Sequence, residues 1–162
     1  MINRIILLLF FPLFIFSQTN YNLSLVGEYD CDGSPHDSEG SDIWGWHDPN
    51  SGYEYALVGL NDGFSVVNVS NPSNPIEMFY ISDINSTWRD IKTWGNYAYV
   101  TTEADAGLLI VDLTDMSGNT FWHVSSFNHP SNGSSVEFTA AHNIYIDENG
   151  IAYIFGASSN TG

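Results

Sequence analysis

Three polar residues whose side chains bind ligands in many proteins recur at matching points of the sequence. Asp42 and Asp90 each directly precede an isoleucine, and His142 lies two positions before another one. Two carboxylates and an imidazole suit Ca²⁺ or another divalent cation such as Mn²⁺ or Zn²⁺, and they also suit a small polar ligand. The alternative is that these groups cap turns or hydrogen-bond the backbone of a neighbouring element.

A tryptophan next to an arginine is a second candidate for ligand contact. Trp88 and Arg89 lie close to Lys92, in a sequence with only 3 lysines and arginines. A guanidinium beside an aromatic ring can hold an anionic or sugar ligand by charge-assisted hydrogen bonds and stacking. The alternative is that Arg89 pairs with one of the many carboxylates of the chain and that the tryptophans belong to the core.

A loop rich in carboxylates is a third candidate, as a calcium loop. Its possible ligands are Asp30, Asp32, Asp37 and Glu39. The loop departs from the EF-hand pattern, because Pro35 stands where that pattern requires glycine. The alternative is a solvated loop that leads into the first structural element.

Motifs of nucleophilic or metal-dependent catalysis are absent from the sequence. It contains no Gly-x-Ser-x-Gly elbow, no His-Glu-x-x-His pair and no phosphate-binding loop. The sequence therefore indicates no particular reaction and no certain cofactor.

The composition favours one folded domain with an acidic surface. The 162 residues are 43% hydrophobic and 15% aromatic, and 19 acidic residues against 3 basic ones give a net charge of −16. Such a charge disfavours nucleic acid and anionic lipid as partners, and it favours cations and basic groups of ligands.

The N-terminus has the pattern of an export signal. Residues 1–17 hold Arg4, then an apolar run up to Phe16, then Ser17 before Gln18. This order predicts a secretory signal peptide cleaved after Ser17, and the apolar run is too short for a transmembrane segment. We expect an acidic lead-in segment over residues 18–40 and the repeats over residues 41–162.

The rest of the sequence repeats a pattern of short strands. Runs rich in Val, Ile, Tyr, Phe and Trp alternate with turns rich in Gly, Asn, Asp and Pro, which is typical of all-β proteins. The predicted first strands are residues 42–46, 90–94 and 142–146, and the second strands are residues 55–59, 97–101 and 151–155. The predicted third strands are residues 64–71 and 108–115, and the fourth strands are residues 76–81 and 120–127.

The length of the repeat predicts a propeller. The first strands begin about 50 residues apart, as in a four-stranded propeller blade. About two and a half antiparallel blades are present, so we expect an incomplete propeller and an N-terminal fragment of a longer protein. Because the first strand of a blade lines the central channel, Asp42, Asp90 and His142 would meet near one mouth of that channel.

Several phrases of the sequence resemble a known family. The third strands resemble LVIVD repeats, with Asn68 in place of the usual aspartate. Other phrases resemble the choice-of-anchor B family; they lie at residues 41–46, 54–59, 86–92 and 141–144. The resemblance covers roughly residues 42–156. It implies a secreted or surface protein with a propeller-like region and a C-terminal anchor that this sequence lacks, and it implies no defined reaction.

Two functions fit these observations. The first is a secreted or cell-surface binding module whose partner is a protein or a glycan. The second is a secreted metal-assisted hydrolase or lyase that uses Asp42, Asp90 and His142 at the mouth of the channel. The absence of a catalytic motif favours the first.

Overall fold

The computed structural model describes residues 22–31 and 38–158. These residues form twelve β-strands and no α-helix, which confirms the all-β prediction. Within these ranges there is consequently no helix long and apolar enough to cross a membrane. The predicted signal peptide and two candidate ligands, Asp32 and Asp37, lie outside the described residues.

Two four-stranded antiparallel sheets contain the first eight strands. In each sheet the strands are neighbours in the order in which they occur in the chain. Sheet 1 consists of β1 (Gly40–His47), β2 (Glu54–Leu60), β3 (Gly63–Asn68) and β4 (Ile76–Ser82). Sheet 2 consists of β5 (Ile91–Trp94), β6 (Tyr97–Val100), β7 (Leu108–Asp112) and β8 (Phe121–Val124).

Two hairpins contain the last four described strands. One hairpin joins β9 (Ser126–Asn128) to β10 (Ser135–Glu137), and the other joins β11 (Asn143–Ile146) to β12 (Ala152–Phe155). The second hairpin, here called sheet 3, corresponds to the first two strands of a third unit. The described residues therefore contain two complete antiparallel sheets and half of another, as the repeat predicts.

Both third strands end earlier than the sequence predicted, at Asn68 and Asp112. Each of these side chains accepts a hydrogen bond from the amide two residues later, Ser70 and Thr114 respectively, at 2.9 Å in both cases. Such a turn diverts the backbone from the ladder of the sheet. Asn68 thus serves in place of the usual aspartate, because the turn needs only a side-chain oxygen.

The fourth strand of sheet 2 is also shorter than predicted. It ends at Val124, and Phe127 belongs to β9 instead. The carbonyl oxygen of Ser125 accepts a hydrogen bond from the amide of Phe138 at 2.7 Å. This bond lies next to the pairing of β9 with the residues 135–137, which form an additional hairpin that the sequence did not predict.

The main core lies between sheets 1 and 2. Its thirteen buried side chains come from facing surfaces, where Leu57 and Val66 of sheet 1 and Val100 and Val111 of sheet 2 are at most 1% exposed. Adjacent strands place these residues side by side, since Leu57 is opposite Val66. Burial of branched side chains against each other is worth about 1.5–3 kcal/mol per residue. Sheet packing therefore fixes where the first strands lie.

The three sheets approach one another through their first strands. β5 contacts both β1 and β11. The isoleucines of the three first strands differ in burial. Ile91 and Ile144 are fully buried, whereas Ile43 lies on the outer face of sheet 1 and is 65% exposed. Neighbouring first strands are the arrangement expected around the axis of a propeller.

Candidate functional site

One end of the three sheets collects the residues that the sequence singled out. The strands β1, β5 and β11 all begin at this end, here called the polar end, and β2 and β6 finish there. Asp42 lies near the start of β1, Asp90 directly precedes β5 and His142 directly precedes β11. The antiparallel connections of the sheets thus bring together residues that are about 50 positions apart in the chain.

The first strand of sheet 1 is joined to that of sheet 2 by alternate side chains. Asp42, Trp44 and Trp46 project from the same face of β1, as the two-residue period of a strand requires. Each makes a hydrogen bond with the residue 49 positions later. Asp42 Oδ2 accepts a hydrogen bond from the Ile91 amide at 2.9 Å. Trp44 Nε1 donates to Thr93 Oγ1 at 3.1 Å, and Trp46 Nε1 donates to the Gly95 carbonyl at 3.2 Å. Asp42 thus hydrogen-bonds the backbone of a neighbouring element, which is the alternative to ligand binding named for it above.

Asp90 is the titratable group most affected by this environment. Partial burial raises the pKa of its carboxyl above the usual value, and the neighbouring charge of Asp42 raises it further. Lys92 and His142 oppose this effect, and Glu103 adds to it. The charges of these four neighbours therefore all act on the Asp90 carboxyl at the polar end.

His142 contacts a residue that the sequence analysis missed. Its Nδ1 meets Oε1 of Glu103, with the two side chains 63% and 42% exposed. Glu103 lies in the connection between β6 and β7, where no motif or period marks it. A weak signal was available, because the repeat places Asn61, another polar residue, at the corresponding point after β2.

The third unit presents a different residue at the position of the two aspartates. Asn143 stands directly before Ile144, as Asp42 and Asp90 stand before their isoleucines, and His142 lies one position further out. Within residues 22–31 and 38–158, no three His, Cys, Asp or Glu side chains converge closely enough to hold a metal ion.

Arg89 lies inside the protein, although the sequence analysis names it as a possible ligand contact. Its side chain is fully buried, and Nη1 donates to Asp83 Oδ2 at 2.8 Å. Nε donates to the Leu60 carbonyl at 2.7 Å, and Nη2 donates to the carbonyl of Ile84. The internal ion pair named as the alternative is therefore present, and the bond to the Leu60 carbonyl joins the segment between sheets 1 and 2 to the end of β2.

Two tryptophans near the polar end expose their rings. Trp88 is 55% exposed and Trp44 is 38% exposed, whereas Trp46 belongs to the core. The ammonium of Lys92 lies 4.2 Å from the centre of the Trp44 ring. A cation–π contact of this kind shows that the aromatic surface accepts a positive charge.

A polar cleft of about 500 Å³ opens beside these residues. Its lining includes Glu39, Asn61, Asp62 and Thr87. Two candidate ligands of the predicted calcium loop are described. Glu39 lines this cleft, and Asp30 is exposed in the lead-in segment. The polar end thus combines a cleft, acidic groups and exposed aromatic rings.

Comparison with known proteins finds a similarity to one family of repeats. The LVIVD repeat model matches residues 52–83 and 87–122. These ranges contain β2 to β4 of sheet 1 and most of the strands of sheet 2. The comparison with curated proteins gave no match, and neither did the comparison with solved structures. Two segments of the chain are therefore similar to LVIVD repeats, which are of the propeller type, and this agrees with the four-stranded antiparallel sheets.

Proposed function

We propose that this chain is part of an exported protein that binds basic groups of a partner, either a protein or an amine-bearing glycan, at its polar end. The observation that carries the proposal is the convergence of Asp42, Asp90, Glu103 and His142 where three first strands begin. The net charge of −16 supports it, because an acidic surface attracts a basic partner and accelerates the encounter.

The exposed rings of Trp44 and Trp88 support the same choice of ligand. Ammonium and guanidinium groups bind both to carboxylates and to aromatic faces. At this end Lys92 already places its ammonium over Trp44. A lysine or arginine side chain of a partner would meet the same chemistry.

Binding is proposed in preference to metal-assisted hydrolysis for a geometric reason. The hydrolase alternative needs Asp42, Asp90 and His142 to hold a metal together, but Asp42 is engaged by the Ile91 amide and His142 by Glu103. The remaining group, Asp90, has a raised pKa, and one such carboxyl does not form a metal centre. The predicted export signal at residues 1–17 supports an extracellular or surface location for the module.

The experiment uses a capped tetralysine peptide as the probe and isothermal titration at low salt as the measurement. We expect Asp90→Asn to weaken binding by about fivefold, the equivalent of about 1 kcal/mol. The matched control is Glu148→Gln, which removes one negative charge from an exposed turn at the opposite end of the sheets. Equal weakening by both variants would show that only the overall charge attracts the peptide, and would refute a site at the polar end.

A further inference from the structure

Three segments of the chain surround the polar cleft. They are residues 38–39 at the approach to β1, residues 61–62 between β2 and β3, and residues 85–87 between sheets 1 and 2. The cleft volume of about 500 Å³ lies within the range of pockets that hold small ligands, about 300–1,000 Å³. None of the three segments belongs to sheet 3, so the walls of the cleft are independent of that sheet.

Hydrogen bonds hold the walls of the cleft together. The amide of Asn61 donates to the carbonyl of Glu39 at 3.0 Å, and the carbonyl of Asn61 accepts from the amide of Ser86 at 2.8 Å. The amide of Asp62 donates to Ser38 Oγ at 3.3 Å. The middle segment is thus bonded to both of the others. Since the cleft has its shape before a ligand binds, little ordering opposes binding.

The buried guanidinium of Arg89 fixes the backbone beside two asparagines of the cleft. Its Nε donates to the carbonyl of Leu60, and its Nη2 donates to the carbonyl of Ile84. Leu60 directly precedes Asn61, and Ile84 directly precedes Asn85. One internal side chain therefore fixes the distance between the two backbone segments that carry these amide side chains.

Four polar side chains of the lining are able to bind a ligand. They are those of Glu39, Asn61, Asn85 and Thr87, and within the described part of the chain these side chains form no hydrogen bond with another residue. Glu39, Asn85 and Thr87 are exposed, and Asn61 is half-buried. Each asparagine offers two donors and an acceptor, threonine offers a donor and an acceptor, and an ionised glutamate only accepts.

This set of donors and acceptors matches the hydroxyl groups of a neutral sugar. Each hydroxyl both donates and accepts, so neighbouring hydroxyls can use amide, threonine and carboxylate groups together. An ammonium group accepts no hydrogen bond and would leave the amide donors unused. An anion would be repelled by Glu39 and by the net charge of −16. The lining thus favours an uncharged sugar over a charged ligand.

We propose that the polar cleft binds a neutral hexose unit of a glycan through the side chains of Glu39, Asn61, Asn85 and Thr87. The site shares no residue with the carboxylates and the imidazole to which the tetralysine probe is directed. It does not depend on the function proposed for those groups, because a neutral glycan would use the cleft alone.

The test uses the full chain and the methyl glycosides of glucose, galactose and mannose as probes. Saturation-transfer difference NMR should show saturable binding of at least one glycoside. We expect a dissociation constant on the order of 1 mM, because only a few hydrogen bonds with largely exposed groups form. Binding of none of the three glycosides would overturn the proposal.

Substitutions in the cleft locate the bound sugar. Asn61→Ala and Asn85→Ala should each weaken binding about fivefold, because each removes the donors and the acceptor of one amide. The matched control is Asn50→Ala, which removes an exposed amide from the turn at the opposite end of sheet 1 and should bind normally. Equal effects of the three variants, or no effect of any, would place the sugar elsewhere and overturn the proposal.

Substitution of Glu39 tests the class of ligand. Glu39→Gln removes the negative charge but keeps a side-chain acceptor, so this variant should bind the neutral glycoside nearly as well as the wild type. The opposite pattern is binding of glucosamine, which carries an ammonium group, but of no neutral glycoside, with loss of that binding in Glu39→Gln. This pattern would assign the cleft to amines and overturn the proposal.

A second measurement does not depend on the folding of the variants. In ¹⁵N–¹H spectra of the wild-type chain, the glycoside should shift the amides of Asn61, Ser86 and Thr87 and leave that of His142 unchanged. Shifts confined to amides outside the cleft would overturn the proposal.

Capped tetralysine added to the same sample separates the two proposals. It should not displace the glycoside from the cleft. Glycoside binding without tetralysine binding would refute the function proposed above and support the sugar site, whereas tetralysine binding without glycoside binding would overturn the sugar site alone.

Discussion

The carboxylate of Asp42 accepts a hydrogen bond from the backbone amide of Ile91 at 2.9 Å, across the boundary between sheets 1 and 2. Asp42 stands at the start of the first strand of one repeat, and Ile91 begins the first strand of the next. A repeat module whose sheets must stay in register therefore uses a predicted ligand residue to join neighbouring units.

Replacement of Asp42 should weaken this joint. Asp42→Ala leaves the partly buried Ile91 amide without its acceptor, and we expect the free energy of unfolding to fall by about 1–3 kcal/mol. Urea denaturation followed by tryptophan fluorescence measures the change. Asp42→Asn keeps a side-chain oxygen and should lose less; identical stability of the wild type and Asp42→Ala would contradict this role.

Arg89 should be more important for stability than for binding. Arg89→Met removes one partner of a buried ion pair and leaves Asp83 with only the Ile84 amide and His123 as contacts, so we expect a loss of about 3–5 kcal/mol. Denaturation measures the loss. The double variant Arg89→Met with Asp83→Asn should recover part of it, because it also removes the buried charge that has lost its guanidinium partner. A single variant as stable as the wild type would show that the buried pair contributes nothing.

Asp90 should make the protein less stable as the pH rises. Because burial and the charge of Asp42 raise the pKa of this carboxyl in the folded protein, the folded state holds the proton at pH values where the unfolded chain has lost it. The contribution of Asp90 to stability is thus greatest below the ordinary aspartate pKa of about 4 and falls as the pH rises through the higher pKa of the folded protein.

Asp90→Asn removes this dependence. We expect the variant to have a higher Tm than the wild type at about pH 7, and this difference to vanish below about pH 4. Thermal unfolding recorded across this pH range by circular dichroism gives the result. Glu148→Gln controls for the general relief of negative charge; a gain of the same size in that variant at every pH would contradict the specific effect at Asp90.

The export prediction concerns residues outside the described ranges. We expect the mature chain to begin at Gln18, because Ser17 provides the small residue before the cleavage point. Intact-mass measurement of protein recovered from the medium or the cell surface checks this. Arg4→Glu with Leu8→Asp should retain the protein inside the cell, and export of this variant at the wild-type level would contradict a signal peptide.

The sequence predicted those parts of the fold that follow from local periodicity. Alternating apolar residues located the strands of sheets 1 and 2, and the aligned isoleucines served to place the first strands, of which Ile91 and Ile144 are buried. The same alignment could not predict that Ile43 is exposed. Its burial depends on whether another sheet covers the outer face of sheet 1, and this is not encoded in the strand itself.

The site was predictable only where it follows the repeat. Asp42 and His142 lie near enough to Asp90 to influence the pKa of its carboxyl, and a ligand-binding role for the three residues stays a prediction. Glu103 and Asp83 were missed because each lies in an irregular connection, where contacts depend on the packing of distant elements and no period marks the residue. Arg89 shows the same limitation, because its burial depends on Asp83, which lies in such a connection.

The most direct measurement of the binding site is a two-dimensional NMR titration of the ¹⁵N-labelled chain with capped tetralysine. We expect the largest amide shifts at Ile91, Glu103 and His142, around the beginnings of the first strands. Shifts centred on the turns at the opposite end, such as Asp147 and Glu148, or shifts spread evenly over the acidic surface, would contradict a binding site at the polar end.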